Sequence, residues 1–189
     1  MEYIGLKMVN MKLALPPKTE MPDGYSIRLF EKGDELHWSR IAYEAGEFDN
    51  IDDGIEYFNS HFGPQRSKLQ ERCFFCCDAN GLPIGSATAW FGQMDGVEQG
   101  MLHWVIVSKY HQGKGLCRPL VAAAMETLSK EYSSAFLTTQ TYSYKGIRIY
   151  LDMGFKPFEQ EGNSSKGWKL VWEATHHPKL VEYSELSDI

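Results

Sequence analysis

The stretch HQGKGLC at 111–117 places two glycines and a lysine where an apolar run, 101–110, gives way to a segment with helical spacing. The start of a helix exposes unpaired N–H groups and the positive end of the macrodipole, and glycines let several of those groups ring an anion. The fitting ligand is a phosphate or pyrophosphate. The spacing is neither a Walker loop nor G-x-G-x-x-G, so nucleoside triphosphates and dinucleotides are set aside. A second chemical region is the acidic cluster Glu44, Glu47, Asp49, Asp52 and Asp53, interspersed with Tyr43, Phe48, Tyr57 and Phe58. It reads either as an aromatic-lined pocket for a cationic amine or as a solvated helix-end face. Cys73, Cys76 and Cys77 lie in a strand-like run without a second matched pair, so they read as buried small hydrophobes and no metal is expected. His176 and His177 before Pro178 read as a surface turn.

These residues need elements to position them. Alternation predicts a strand over 25–30, then an amphipathic helix from an Asp34 cap carrying Leu36, Ile41 and Ala45, then a second helix over 54–62. Strands over 72–78 and 84–92 should form a hairpin turning at Asn80 and Gly81. After a polar loop over 93–100 comes the apolar strand 101–108, of the kind covered on both sheet faces. A helix over 116–130 follows, with Pro119 tolerable near its start. A strand over 134–143, a short helix closed by Gly154, a strand from Phe155 and a last antiparallel strand over 166–175 complete the order. That order is α+β, without the repeated βαβ rhythm of a doubly wound fold.

The 189 residues suit one domain, taken as 23–175, with a turn-rich extension over 1–22 and a tail over 176–189. A net charge of -6 argues against nucleic acid as partner and favours a cationic one. No run approaches bilayer length, so no membrane partner is expected. No secretory leader is read at the start, and four cysteines make no disulfide framework in a chain this long, so the expected compartment is the cytoplasm.

With Gln112, Gly113, Lys114, Gly115 and Leu116 following an apolar strand and opening a helix, the chain resembles the GCN5-related N-acetyltransferase family. Its signature, Q/R-x-x-G-x-G/A, sits at that junction; Cys117 stands where Gly or Ala is usual. The downstream SYKGIRIYLDMGF matches a second family pattern at Tyr150, Gly154 and Phe155, with Ser143 in place of Asn and Gly146 in place of Ala. The resemblance covers roughly residues 23–175. It implies a mixed, mostly antiparallel sheet flanked by helices, whose parallel fourth and fifth strands splay apart to admit coenzyme A.

The resemblance further implies acetyl-CoA as co-substrate and a small-molecule or peptide amine as acceptor, with direct attack in a ternary complex. The N–H groups of Gly113, Lys114, Gly115, Leu116 and Cys117 would take the pyrophosphate, with Gln112 closing the loop. The main chain of Val105, Ile106 and Val107 and the Ser143 hydroxyl would hold the pantetheine arm. Tyr150 would be the general acid toward the sulfur, since a phenol is protonated at neutral pH. The family's glutamate base falls on Met101, which leaves His103, Glu98, Asp95 or water for that role; His103 also reads as an ordinary strand histidine. Glu47 and Asp49 would face the acceptor. A homodimer is open by resemblance to relatives. The substitutions at 117, 143 and 146 keep open a second reading, a non-catalytic acyl-CoA sensor or structural relative.

Overall fold

The computed structural model describes residues 1–159 and 164–185. Among them seven strands form one sheet: β1 (Gly5–Asn10), β2 (Ser26–Leu29), β3 (Cys73–Cys77), β4 (Pro83–Met94), β5 (Val97–Val107), β6 (Ala135–Gln140) and β7 (Lys156–Phe158). Their spatial order is β2-β3-β4-β5-β6-β1-β7, antiparallel throughout except for β5 beside β6. The helices are α1 (Asp34–Ala45), α2 (Ile51–Phe62), a single turn α3 (Leu69–Arg72), α4 (Cys117–Glu131), α5 (Tyr144–Asp152) and α6 (Ser164–Thr175). The expected fold class is the one observed.

Each face of the sheet has its own apolar layer. Trp38, Ile41, Phe58 and Phe62 of α1 and α2 pack on Cys73, Phe75 and Cys77. Cys76 points the other way, into the layer under α4 with Leu120, Val121, Met125 and Leu128. Cys73, Cys76 and Cys77 thus serve as strand residues with period two, and all four cysteines, Cys117 included, are free of disulfides.

Four expectations are corrected. Residues 166–175 belong to helix α6, because Ser164, Gly167, Trp168 and Val171 are its buried positions and fall at i, i+3, i+4 and i+7. A Cβ on Gly167 would come within 2.8 Å of Leu6, so this helix lies hard against β1. The antiparallel partner expected of that segment comes from β1, inside the stretch read as an extension: Ile4, Leu6, Met8 and Asn10 are buried in strict alternation. The loop expected over 93–100 is a two-residue turn, Asp95 (φ 53°) and Gly96 (φ 76°), joining β4 to β5. Asp34 does not cap α1. Its carboxylate pairs with Arg28 at 2.6 Å, which holds it below the usual range against the desolvation it suffers, and Leu36 faces solvent. The tail expected over 176–189 is described only to residue 185, and Pro178–Tyr183 form a 3-10 turn there.

Candidate active site

Two strands that begin together and then part make the cleft. β5 and β6 pair only at Gly100↔Ala135 and Met101↔Phe136. Beyond that point β5 stays bonded to β4, and β6 to β1. On β5, three residues span Ser86↔Ile106 to Thr88↔His103 where β4 uses one fewer, and Trp104 takes φ 47°. This is a bulge. Leu102 and Ile106, four apart, would share a face in a regular strand; the extra residue sends them into opposite cores. Positive φ at a tryptophan is costly, and such outliers gather at functional sites.

The resulting cavity of about 270 Å³ is lined by Glu47, Tyr57, residues 102–106, residues 137–140, Ser143 and Tyr150. A second depression, about 390 Å³, lies between residues 15–21 and α4 and shares no lining residue with it.

The glycine loop continues from the end of β5. Gly113 and Gly115 both adopt φ near the left-handed region, at 77° and 78°. A Cβ on Gly113 would meet nothing within 4 Å, so the space above it is open. Gln112 donates from Nε2 to the Val107 carbonyl at 3.0 Å, which ties the loop back to the end of β5. Ser108 donates its N–H to Ile84 of β4, so strand alternation turns the N–H and C=O of Val107 toward the cleft. Helix α4 begins with no side-chain cap and no acid in its first turn, which leaves its N–H groups available to an anion. Cys117, its first residue, carries a thiol that burial pushes up to about 11, so it is neutral and no competitor for the pocket's charge. The residues present fit a pyrophosphate on the loop and an extended amide-bearing arm along β5.

Tyr150, on α5, is 8% exposed and lines the cleft. Burial, then the proximity of Cys117 and Glu47, raises its pKa, so the phenol stays protonated. Gly146 gives it room: a Cβ there would lie 3.3 Å from the hydroxyl oxygen. Glu47 keeps overall exposure, yet desolvation raises its carboxyl pKa. Tyr57, edge-on to Trp104 at 5.1 Å, shares the cleft lining with Glu47, and Phe48, next in the sequence, stacks on Trp104 at 5.8 Å.

Most sequence-derived residues converge here, and some do not. Val105, Ile106, Ser143, His103, Glu47 and Tyr150 line the cleft, and Val107, Gln112 and the glycines continue from it. Asp95 sits at the hairpin tip, and Glu98 near it accepts from Tyr132 at 3.4 Å; neither lines the cavity. Asp49 is exposed and outside the lining. Sequence reasoning missed His61 and Trp104. His61 follows Tyr57 by one helical turn and meets His103 across the cleft wall at 2.9 Å. Among the described residues no group of His, Cys, Asp or Glu is placed to hold a metal, and no helix is long and apolar enough to cross a membrane.

Known proteins are similar to this chain in sequence or fold. N-acetyltransferase 8B from Mus musculus is 29% identical over 102 residues, 52% of this chain and 44% of that relative. The fold matches a GCN5-related N-acetyltransferase from Sphaerobacter thermophilus with TM-score 0.64 and 21% identity, over 82% of this chain and 48% of that one. It also matches a structure of the NatC complex bound to Gag peptide and CoA, with TM-score 0.54 and 17% identity, over 71% of this chain and 86% of that one. The chain spans less than half the length of the first two. The acetyltransferase (GNAT) family pattern matches residues 34–155, from the start of α1 through the glycine loop to the end of α5 and Phe155. The chain belongs to the acetyltransferase (GNAT) family.

Proposed function

We propose that the protein transfers an acetyl group from acetyl-CoA to a primary amine of a small molecule or peptide. One observation carries the reading: the Tyr150 phenol, kept protonated by burial, lines the cleft close to Cys117 at the α4 start, where a departing thiolate would need a proton.

Acetyl-CoA, once bound, supplies an activated thioester carbonyl and a thiolate leaving group. The loop N–H groups of residues 113–117 bind the pyrophosphate, with Gln112 keeping the loop folded onto Val107. The outward N–H of Val107 and the neighbouring main chain of β5 orient the arm and polarise the carbonyl. Tyr150 holds the proton that the departing sulfur takes. Glu47 draws a cationic amine into a mouth framed by Phe48, Tyr57 and Trp104, where ring faces also favour a cation. Four free thiols favour a reducing compartment, which agrees with a cytoplasmic site of action.

Thermal-shift titration with acetyl-CoA, followed by a panel of primary amines read by release of free thiol, tests the reading. Saturable stabilisation with turnover of at least one amine supports it. Stabilisation without turnover replaces it with the acyl-CoA sensor, and no stabilisation removes both.

A further inference from the structure

The acceptor side of the cleft carries a hydrogen-bonded row of three groups. His103 of β5 and His61 of α2 meet Nε2 to Nε2 at 2.9 Å, and the Tyr57 hydroxyl lies 3.4 Å from His61 Nδ1. A single contact between two ring nitrogens holds one proton, so one imidazole donates and the other accepts. His103 lines the cavity, whereas His61 is exposed at the surface with Tyr57 stacked on it at 5.1 Å. The row therefore runs from the cavity wall to the surface at His61, with Tyr57, itself a lining residue, against that imidazole. Phe62 packs edge-on against both imidazoles and Trp104 against His103, and the carboxylate facing the same cavity is Glu47.

An amine that acylates must shed a proton as its new bond forms. Burial, reinforced by His61, holds His103 at about 3, and burial also lowers His61. A base this weak cannot store the proton, so it helps only by passing the proton on. His61 Nε2 is placed to take it.

We infer that His103, His61 and Tyr57 form a proton relay that carries the acceptor's proton from the cleft to bulk water, an inference that rests on the acetyltransferase reading above. In the receiving tautomer His103 Nε2–H donates to His61, and His103 Nδ1 is bare. As the carbon–nitrogen bond forms, the N–H bond of the amine breaks toward His103 Nδ1. The Nε2 proton of His103 passes to His61 Nε2, and the Nδ1 proton of the exposed His61 leaves to water, directly or by way of the Tyr57 hydroxyl. One proton enters, one leaves and no electrons are exchanged; proton exchange with solvent restores the starting tautomers.

The test uses the full chain, acetyl-CoA and n-butylamine, benzylamine, putrescine and an alanyl peptide amide as acceptors. His61→Gln, at an exposed position, should lower kcat about 100-fold or more, within the range of general acid–base catalysis. The KM for acetyl-CoA should stay the same, and added imidazole should restore part of the rate to His61→Ala. His103→Gln should lower kcat by a similar factor, and Tyr57→Phe should lower it less, because water can replace the last member. Wild-type turnover that survives both histidine substitutions within twofold, at unchanged pH profile, overturns the relay and leaves the transferase standing. Loss of kcat in His61→Ala that imidazole does not restore also overturns it, as a structural effect. Acetyl-CoA binding without turnover of any of these amines overturns the transferase reading, and the relay with it.

Discussion

Replacing Tyr150 by Phe isolates one atom. The ring stays packed on Phe155 at 6.4 Å and beside Gly146, and the lost hydroxyl has no protein partner among the described residues. Stability should therefore change by less than about 0.5 kcal/mol, the range of substitutions that break no named interaction. The chemical cost is larger. A positioned proton donor contributes roughly 10²- to 10⁴-fold, which is about 2.7–5.4 kcal/mol of barrier at 1.36 kcal/mol per factor of ten. Because burial raises the Tyr150 pKa, the wild-type donor is protonated throughout the neutral range, and the deficit should be flat between about pH 6 and pH 9. Initial rates of thiol release across that range, beside urea denaturation of both proteins, measure the two halves. A kcat that falls less than about threefold while the variant folds normally refutes the general-acid role, since that is below the weakest general-acid contribution. A loss in rate matched by a fall in stability refutes it equally.

Other expectations concern the elements around that atom. Gly115→Ala places a side chain at φ 78°, a left-handed conformation costing roughly 1–2 kcal/mol, so the loop should shift and acetyl-CoA bind about 5- to 30-fold more weakly by calorimetry. Met8→Ala opens a cavity at a fully buried position and should cost about 2–5 kcal/mol in urea denaturation; a cost below about 0.5 kcal/mol would show that β1 is dispensable. Stability should fall on acidification, because His103 binds no proton in the folded state until about pH 3 while the unfolded chain takes one up near the ordinary value of 6.5. Between about pH 6.5 and 5.5 that linkage removes on the order of 1 kcal/mol, and His103→Gln should flatten the slope.

What the sequence disclosed was local. The glycine loop was legible because left-handed backbone at a strand-to-helix turn leaves a compositional mark, and Gly113 and Gly115 carry it. Strand β5 and helix α4 were legible through long, consistent periodicity. Helix α6 was not, because two of its buried stripe positions are Ser164 and Gly167, while the adjacent Trp168, Leu170 and Trp172 mimic a strand. Strand β1 alternates correctly, but its partners, β6 and β7, lie at the far end of the chain and no turn connects them. The pair His61 and His103 depends on a contact 42 residues apart, and positive φ at Trp104 has no compositional signature at all. The missing parts of the site are those made by tertiary placement.

That placement also explains why the cleft can exist in a sheet whose strands would otherwise zip closed. An open strand edge carries unpaired N–H and C=O groups and tends to recruit a partner. Here each wall is fastened on its outer side: β5 to β4 through pairs on both flanks of the bulge, and β6 to β1 through all six residues from Gly5↔Gln140 to Asn10↔Ala135. The bulge turns β5 out of register where the gap begins, so the two inner edges cannot meet without giving up those ladders. Strand β1 is thus a wall support, even though it contributes no lining residue. Weakening it should loosen the spacing of the cleft before it unfolds the chain. In Met8→Ala the KM for acetyl-CoA should rise at temperatures where the fold is still intact, and a variant that loses stability at constant KM would show that the spacing is set by β4 and the bulge alone.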